Sequence, residues 1–111
     1  MEWYARGLKL DRYDSYNYLR YGMCLDWLGH HAEAGPYFSR AEELDPNGYF
    51  TVANVGWHYV QVGDYDAARS WLARSMRLHW QDNVIASSYL KIAERKLVED
   101  ASSRSHLPVG F

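Results

Sequence analysis

The sequence is poor in the residues that build several kinds of site. It has a single cysteine, Cys24, which excludes an internal disulfide and a thiolate metal centre and leaves the redox compartment open. Only three prolines occur, and β-branched residues are sparse until the middle of the chain, which favours helices over strands. No apolar run approaches the roughly 20 residues that span a bilayer. The opening "MEWYARGLKL" is amphipathic and lacks the layout of a secretion signal. Neither sign of charge dominates: 12 basic and 14 acidic residues are interspersed, giving a formal charge of −2 without the basic footprint of a nucleic-acid binder. A glycine-rich phosphate loop and a serine in a nucleophile elbow are both missing. The expectation is a protein with no catalysis of its own, no cofactor and no metal.

What is present is ample core material and a period. The 111 residues make one domain, 48% apolar, with ten tyrosines and five tryptophans. "LKLDRYD", "EELDPNG" and "MRLHWQD" place Leu10, Leu44 and Leu78 at a spacing of 34. In the same frame fall Arg6, Arg40 and Arg74, then Trp3, Tyr37 and Trp71, and the small residues Gly7, Ala41 and Ser75. Two copies match more sharply, pairing Gly22 with Gly56, Gly29 with Gly63 and Ala34 with Ala68. A fixed period of this length marks a repeat built from one supersecondary unit.

The frame also decides how "LGHHAEA" reads, because it superposes on "VGDYDAA". His30 takes the place of Asp64, a helix N-cap after a glycine turn, and His31 that of Tyr65, an aromatic that packs. Adjacent histidines on a helix diverge, whereas helical zinc ligands sit four apart on one face, and no His-x-x-x-His occurs. Cys24 and His58 share a repeat position one period apart, which permits proximity across a helix pair; wedging between hairpins is the plainer expectation. His79, near a turn, and His106, in the tail, are expected to be exposed spectators.

Helices are expected at 15–28, 31–44, 49–62, 65–78 and 83–99, with Gly29, Asp45-Pro46-Asn47-Gly48 and Gly63-Asp64 as turns. Pro36, early in the second, is tolerable there although it can bend the helix. Residues 2–10 match the second half of a repeat's second helix. The tail at 100–111 lacks periodicity and is expected to be flexible.

These residues resemble the tetratricopeptide repeat (TPR) family. The resemblance falls on Tyr18, Tyr21, Gly22, Leu25, Gly29, Ala34, Phe38, Ala41 and Pro46 in one copy. In the next it falls on Val52, Val55, Gly56, Tyr59, Gly63, Tyr65, Ala68 and Leu72. It departs at Ser75 and at Trp80, where the family's proline would stand. It implies an all-α, right-handed solenoid of antiparallel hairpins at 1–99. That comprises a half repeat at 2–14, repeats at 15–48 and 49–82 and a capping helix at 83–99 with a polar outer face. The small residues are expected to let partner helices approach, with Gly22 and Gly56 against Ala34 and Ala68. The leading half repeat suggests a piece of a longer protein, and under-covered Trp3 and Tyr4 suggest a homodimer through that end.

The resemblance further implies that the first helix of each repeat lines a concave groove for a peptide or partner segment. The lining would be Tyr16, Leu19, Arg20, Met23, Asp26 and Trp27, then Phe50, Asn54, Trp57 and Gln61, then Ser87, Ser88, Lys91 and Arg95. Packing in the core is the competing role for Trp27, Phe50 and Trp57. Some family members clamp a C-terminal carboxylate, but of the matching positions Leu19, Met23, Asn54, Val84 and Ser88 only Asn54 fits. The functional expectation is a protein–protein interaction scaffold that binds no nucleic acid and does not itself insert into a membrane, in a soluble domain with a cytoplasmic setting slightly favoured. The alternative follows from "YLRYGMCLDWLG" and "LDPNGYFTVANVGWHYVQVGDY". Both resemble the soluble repeat tails of bacterial membrane-embedded envelope enzymes of the O-antigen ligase type.

Overall fold

The computed structural model describes residues 14–105, so the expected half repeat and the tail beyond residue 105 lie outside it. Five α-helices follow one another: α1 (Ser15–Trp27), α2 (His31–Leu44), α3 (Tyr49–Gln61), α4 (Tyr65–Leu78) and α5 (Val84–Ser105). The bounds of α3 and α4 are those of α1 and α2 moved by 34 positions. Local chemistry sets them. Asp14 caps α1 by accepting from the Tyr16 amide at 2.9 Å, and Asp64 caps α4 by accepting from the Ala67 amide at 3.2 Å. Gly29 and Gly63 stop α1 and α3 by taking φ values of +84° and +81°, which an L side chain rarely adopts. Pro36 lies inside α2 without interrupting it.

The equivalent position on α5 is Leu97, and there the helix does not stop. It runs to Ser105, past the Glu99 expected from periodicity. Its start is anchored from behind. Asn83 Nδ2 donates to the Ser75 hydroxyl at 2.9 Å and to the His79 carbonyl at 2.8 Å, while Ser75 Oγ donates to the Tyr49 carbonyl at 2.7 Å. Ser75 keeps the small size its position calls for and uses its hydroxyl to tie three helices together. The outer part of α5 exposes Lys91, Glu94, Arg95 and Glu99, as a polar face requires, but Val84 and Val98 are exposed as well.

Packing is sequential and pairwise. α1 lies on α2, α3 on α4 and α4 on α5, and α3 also meets α1, α2 and α5. One core gathers Leu19, Leu25, Ala34, Phe38, Ala41, Val55 and Trp57, and a second gathers Ala53, Ala68, Leu72, Ala86 and Ala93. Tyr59 and Tyr89 pack against both. The close approaches differ from expectation in their partner. A Cβ on Gly22 would meet the Phe38 ring at 2.7 Å, and one on Gly56 would meet Leu72 Cγ at 2.6 Å. The glycines thus make room for the large residue one turn after Ala34 and Ala68. The same pair recurs one period on.

Candidate functional site

The odd-numbered helices form a continuous layer, each in contact with the next, whereas no Cα of α2 lies within 8 Å of one in α4. On the α1–α3–α5 layer two hollows adjoin. The first, about 700 Å³ including the space open to solvent, is lined by Tyr16, Leu19, Arg20, Met23, Cys24, Trp27 and Phe50. The second, about 420 Å³, is lined by Met23, Trp27, Asn54, Trp57, Ile85 and Tyr89. Met23 and Trp27 belong to both, so the two make one groove.

Its walls are built by helical spacing. Tyr16, Arg20, Met23 and Trp27 recur at three- and four-residue steps along one stripe of α1, and Phe50, Asn54, Trp57 and Gln61 do so on α3. Tyr16 stacks on Phe50 with centroids 6.4 Å apart, and the Arg20 guanidinium lies 5.6 Å from the Tyr16 centroid. Trp27 is the most open element of the wall, with 74% of its surface exposed, beside Tyr16 at 50% and Phe50 at 43%.

Several expected lining residues have a different character. Leu19 is 1% exposed and belongs to the core, reaching the groove only as its floor. Asn54 is buried, and its amide donates to the Phe50 carbonyl at 2.8 Å. Trp57 is buried with its ring 6.3 Å from that of Phe38, so core packing and groove lining are both true of it. Gln61, Ser88, Lys91 and Arg95 are exposed and are not among the residues that line the two hollows, and Ser87 is half-buried. Ile85 and Tyr89 were not foreseen. In the 34-residue frame Tyr89 aligns with Val55 and Tyr21, both part of or packed against the first core, and that register was the available signal.

Asp26 does not face the groove. Its carboxylate has no exposed surface and lies between two imidazoles, with His31 Nδ1 2.8 Å from Oδ1 and His58 Nδ1 2.7 Å from Oδ2. With Asp26 ionised, both Nδ1 atoms carry a proton and donate, since a carboxylate only accepts. The cluster joins the end of α1, the start of α2 and the middle of α3. His58 also stacks on Phe38, with centroids 4.7 Å apart. His31 is therefore the first residue of its helix, as expected, but it is a polar partner and not a simple packed aromatic. His30 is exposed at the N-cap position without a capping hydrogen bond and pairs with Glu33 at 3.4 Å. Among the described residues no three His, Cys, Asp or Glu side chains could hold a metal ion.

On the opposite side α2 and α4 stand apart over a cleft of about 400 Å³, lined by Gly35, Phe38, Ser39, Glu42, Glu43, Val55, His58, Tyr59 and Trp71. Arg74 crosses it. Its guanidinium meets Glu42 at 3.3 Å, donates to the Pro46 carbonyl at 2.7 Å and lies 5.3 Å from the Trp71 centroid. Nearby, burial raises the Tyr37 phenol above its ordinary value, and a hydrogen bond with Tyr21 adds to this.

No protein-family model and no curated protein matches the chain. Among the described residues no helix is long and apolar enough to cross a membrane.

Proposed function

We propose that the chain is an interaction scaffold of the tetratricopeptide type, binding a peptide or partner segment in the groove on α1, α3 and α5 and taking no part in bond making. The observation that carries this reading is the open aromatic wall. Trp27, Tyr16 and Phe50 stand exposed along adjoining hollows instead of completing the core. Tryptophan and tyrosine in a partly desolvated hollow are the residue types that carry most of the energy in interfaces. The packing supports a concave shape on that side, because the backbones of successive odd helices approach within 8 Å while those of α2 and α4 stay farther apart and are bridged by the Arg74–Glu42 pair. The shared bounds at a 34-residue offset support the repeat reading. A groove held by buried Leu19, Asn54 and Trp57 is formed before anything binds, which lowers the ordering cost of association.

The test is selection of random dodecapeptides on the full chain, followed by affinity measurement with the Trp27→Ala and Phe50→Ala variants. Both side chains are exposed, so each variant is expected to retain its helical circular dichroism and lose affinity. An anchor residue is worth about 2 kcal/mol or more, roughly 30-fold in Kd. If every selected peptide binds the two variants as well as it binds the native chain, the groove is not the site.

A further inference from the structure

The cleft between α2 and α4 has a polar floor. His58 is 5% exposed, and its Nδ1 donates to Asp26 at 2.7 Å. That tautomer leaves Nε2 with a lone pair. Among the described residues Nε2 makes no hydrogen bond, and no fully buried side-chain nitrogen or oxygen goes unpaired, so Nε2 is open to the cleft that the ring lines. A nearly buried imidazole with one nitrogen held by a carboxylate and the other unspent needs a reason. Gly35 adds a second observation. Its φ is not positive, and a Cβ there would meet only His58 Nε2, at 3.8 Å, an ordinary contact. Neither backbone conformation nor crowding requires glycine at this point of α2, where it weakens the helix, and one period on the position holds Arg69. What the missing side chain does is leave Nε2 uncovered. Around it stand the rings of Phe38, Tyr59 and Trp71 and the carboxylates of Glu42 and Glu43. The cleft therefore offers acceptors and aromatic faces. Arg74 already lays a guanidinium on Glu42, 5.3 Å from the Trp71 centroid, and Arg40 meets Glu43 at 3.1 Å; neither bonds His58.

We propose that this cleft is a second ligand site, on the side opposite the groove, and that it takes a small organic ammonium ion, a primary amine on an apolar body. One N–H of the ammonium donates to His58 Nε2, and its charge is balanced by Glu42 and Glu43. The apolar body lies against Tyr59 and Trp71, whose faces also attract the cation. A neutral donor of the same shape forgoes the charge-assisted part of these bonds. An anion is refused, because the carboxylates flank the same space and Nε2 has no proton to give. The site owes nothing to the groove reading and stands or falls separately.

The experiment titrates the full chain with benzylamine, benzyl alcohol and benzoate while following the imidazole nitrogens by NMR. Benzylamine is expected to move the His58 Nε2 resonance saturably and to bind about tenfold tighter than benzyl alcohol, with no saturable effect of benzoate. His30 serves as the internal control, since it is an exposed imidazole paired with Glu33 at 3.4 Å. An amine that met only surface carboxylates would move His30 as much as His58. In Gly35→Ala a methyl stands over Nε2, so benzylamine affinity is expected to fall about tenfold. The thermal midpoint of that variant is expected to hold or rise, because alanine is the better helix former and the added methyl meets no close contact. A His58 resonance that benzylamine leaves in place, or moves no more than that of His30, overturns the proposal in the native chain alone. Benzyl alcohol or benzoate binding as tightly as benzylamine overturns it too, as does unchanged benzylamine affinity in Gly35→Ala.

Discussion

At the scale of single residues, the most informative feature is one that breaks the repeat. Asp26, His31 and His58 make a buried polar cluster, and one period on the same positions hold Val60, Tyr65 and Ile92. The protein thus contains its own carboxylate-free counterpart of the cluster. Removing one member of a buried charged cluster leaves the others unsatisfied, so Asp26→Ala is expected to cost about 3 kcal/mol in urea unfolding. Converting the whole cluster, Asp26→Val with His31→Tyr and His58→Ile, is expected to be neutral or to stabilise by up to about 4 kcal/mol, because desolvation of the charge is relieved and nothing is orphaned. A triple variant less stable than Asp26→Ala would show that the cluster is worth more than its desolvation costs. A second expectation concerns the glycines. Gly56→Ala puts a Cβ 2.6 Å from Leu72 Cγ and 3.2 Å from the Leu72 backbone nitrogen, whereas Gly22→Ala meets only the Phe38 ring. Overpacking of this kind costs about 1–3 kcal/mol. The Gly56 variant is expected to be the less stable of the two, since a backbone atom cannot turn aside, and their relative denaturation midpoints check this.

At the scale of elements, the helices were legible and one of their ends was not. Caps and glycine stops recur in the sequence, so four helices fall within a residue of where periodicity puts them. The fifth runs longer because the stop signal is missing: Leu97 stands where Gly29 and Gly63 end α1 and α3. That sign was readable but lay in the absence of a glycine at a fixed offset, not in any apolar period. Beyond Leu97, the residues Val98, Glu99 and Asp100 are all exposed. Leu97→Gly is therefore expected to end α5 near residue 96. The direct propensity cost is only about 1 kcal/mol, but a short helical extension is marginal without it. Loss of hydrogen-exchange protection confined to residues 98–105 is the expected result, and unchanged protection there would mean that the extension is held by packing. The contacts between elements were less legible than the elements. The family resemblance put Asp26 in the groove lining beside Trp27, yet neighbours in a helix point apart, and Asp26 turns toward α2 and α3. Which large residue fills the space above Gly22 was equally hidden, because the repeat frame fixes positions within a copy and is silent about which rows interlock.

At the scale of the whole molecule, stability follows from which helices touch. α3 packs against all four others, while the backbones of α1 and α5, like those of α2 and α4, nowhere approach within 8 Å. Residues Thr51 to His58 of α3 are buried without a break, two full turns with no solvent-facing side. A helix buried all round belongs to a core and not to its surface. Local opening is cheapest where few neighbours are lost, so α1 and α5 are expected to open independently and α3 only with the whole domain. Native-state hydrogen exchange is expected to rank the amides of Thr51–His58 slowest, near the global unfolding free energy, with protection declining outward to Ser15 and Ser105. The arrangement also bears on binding. Phe50, Asn54 and Trp57 come from the slowest element, while Tyr16, Met23 and Trp27 come from an outer one, so the groove has one rigid wall and one that can yield. A partner bridging the two is expected to raise protection in α1 far more than in α3. Equal gains in both would mean that α1 is already as firmly held as the centre, and the outward gradient of stability would then be wrong.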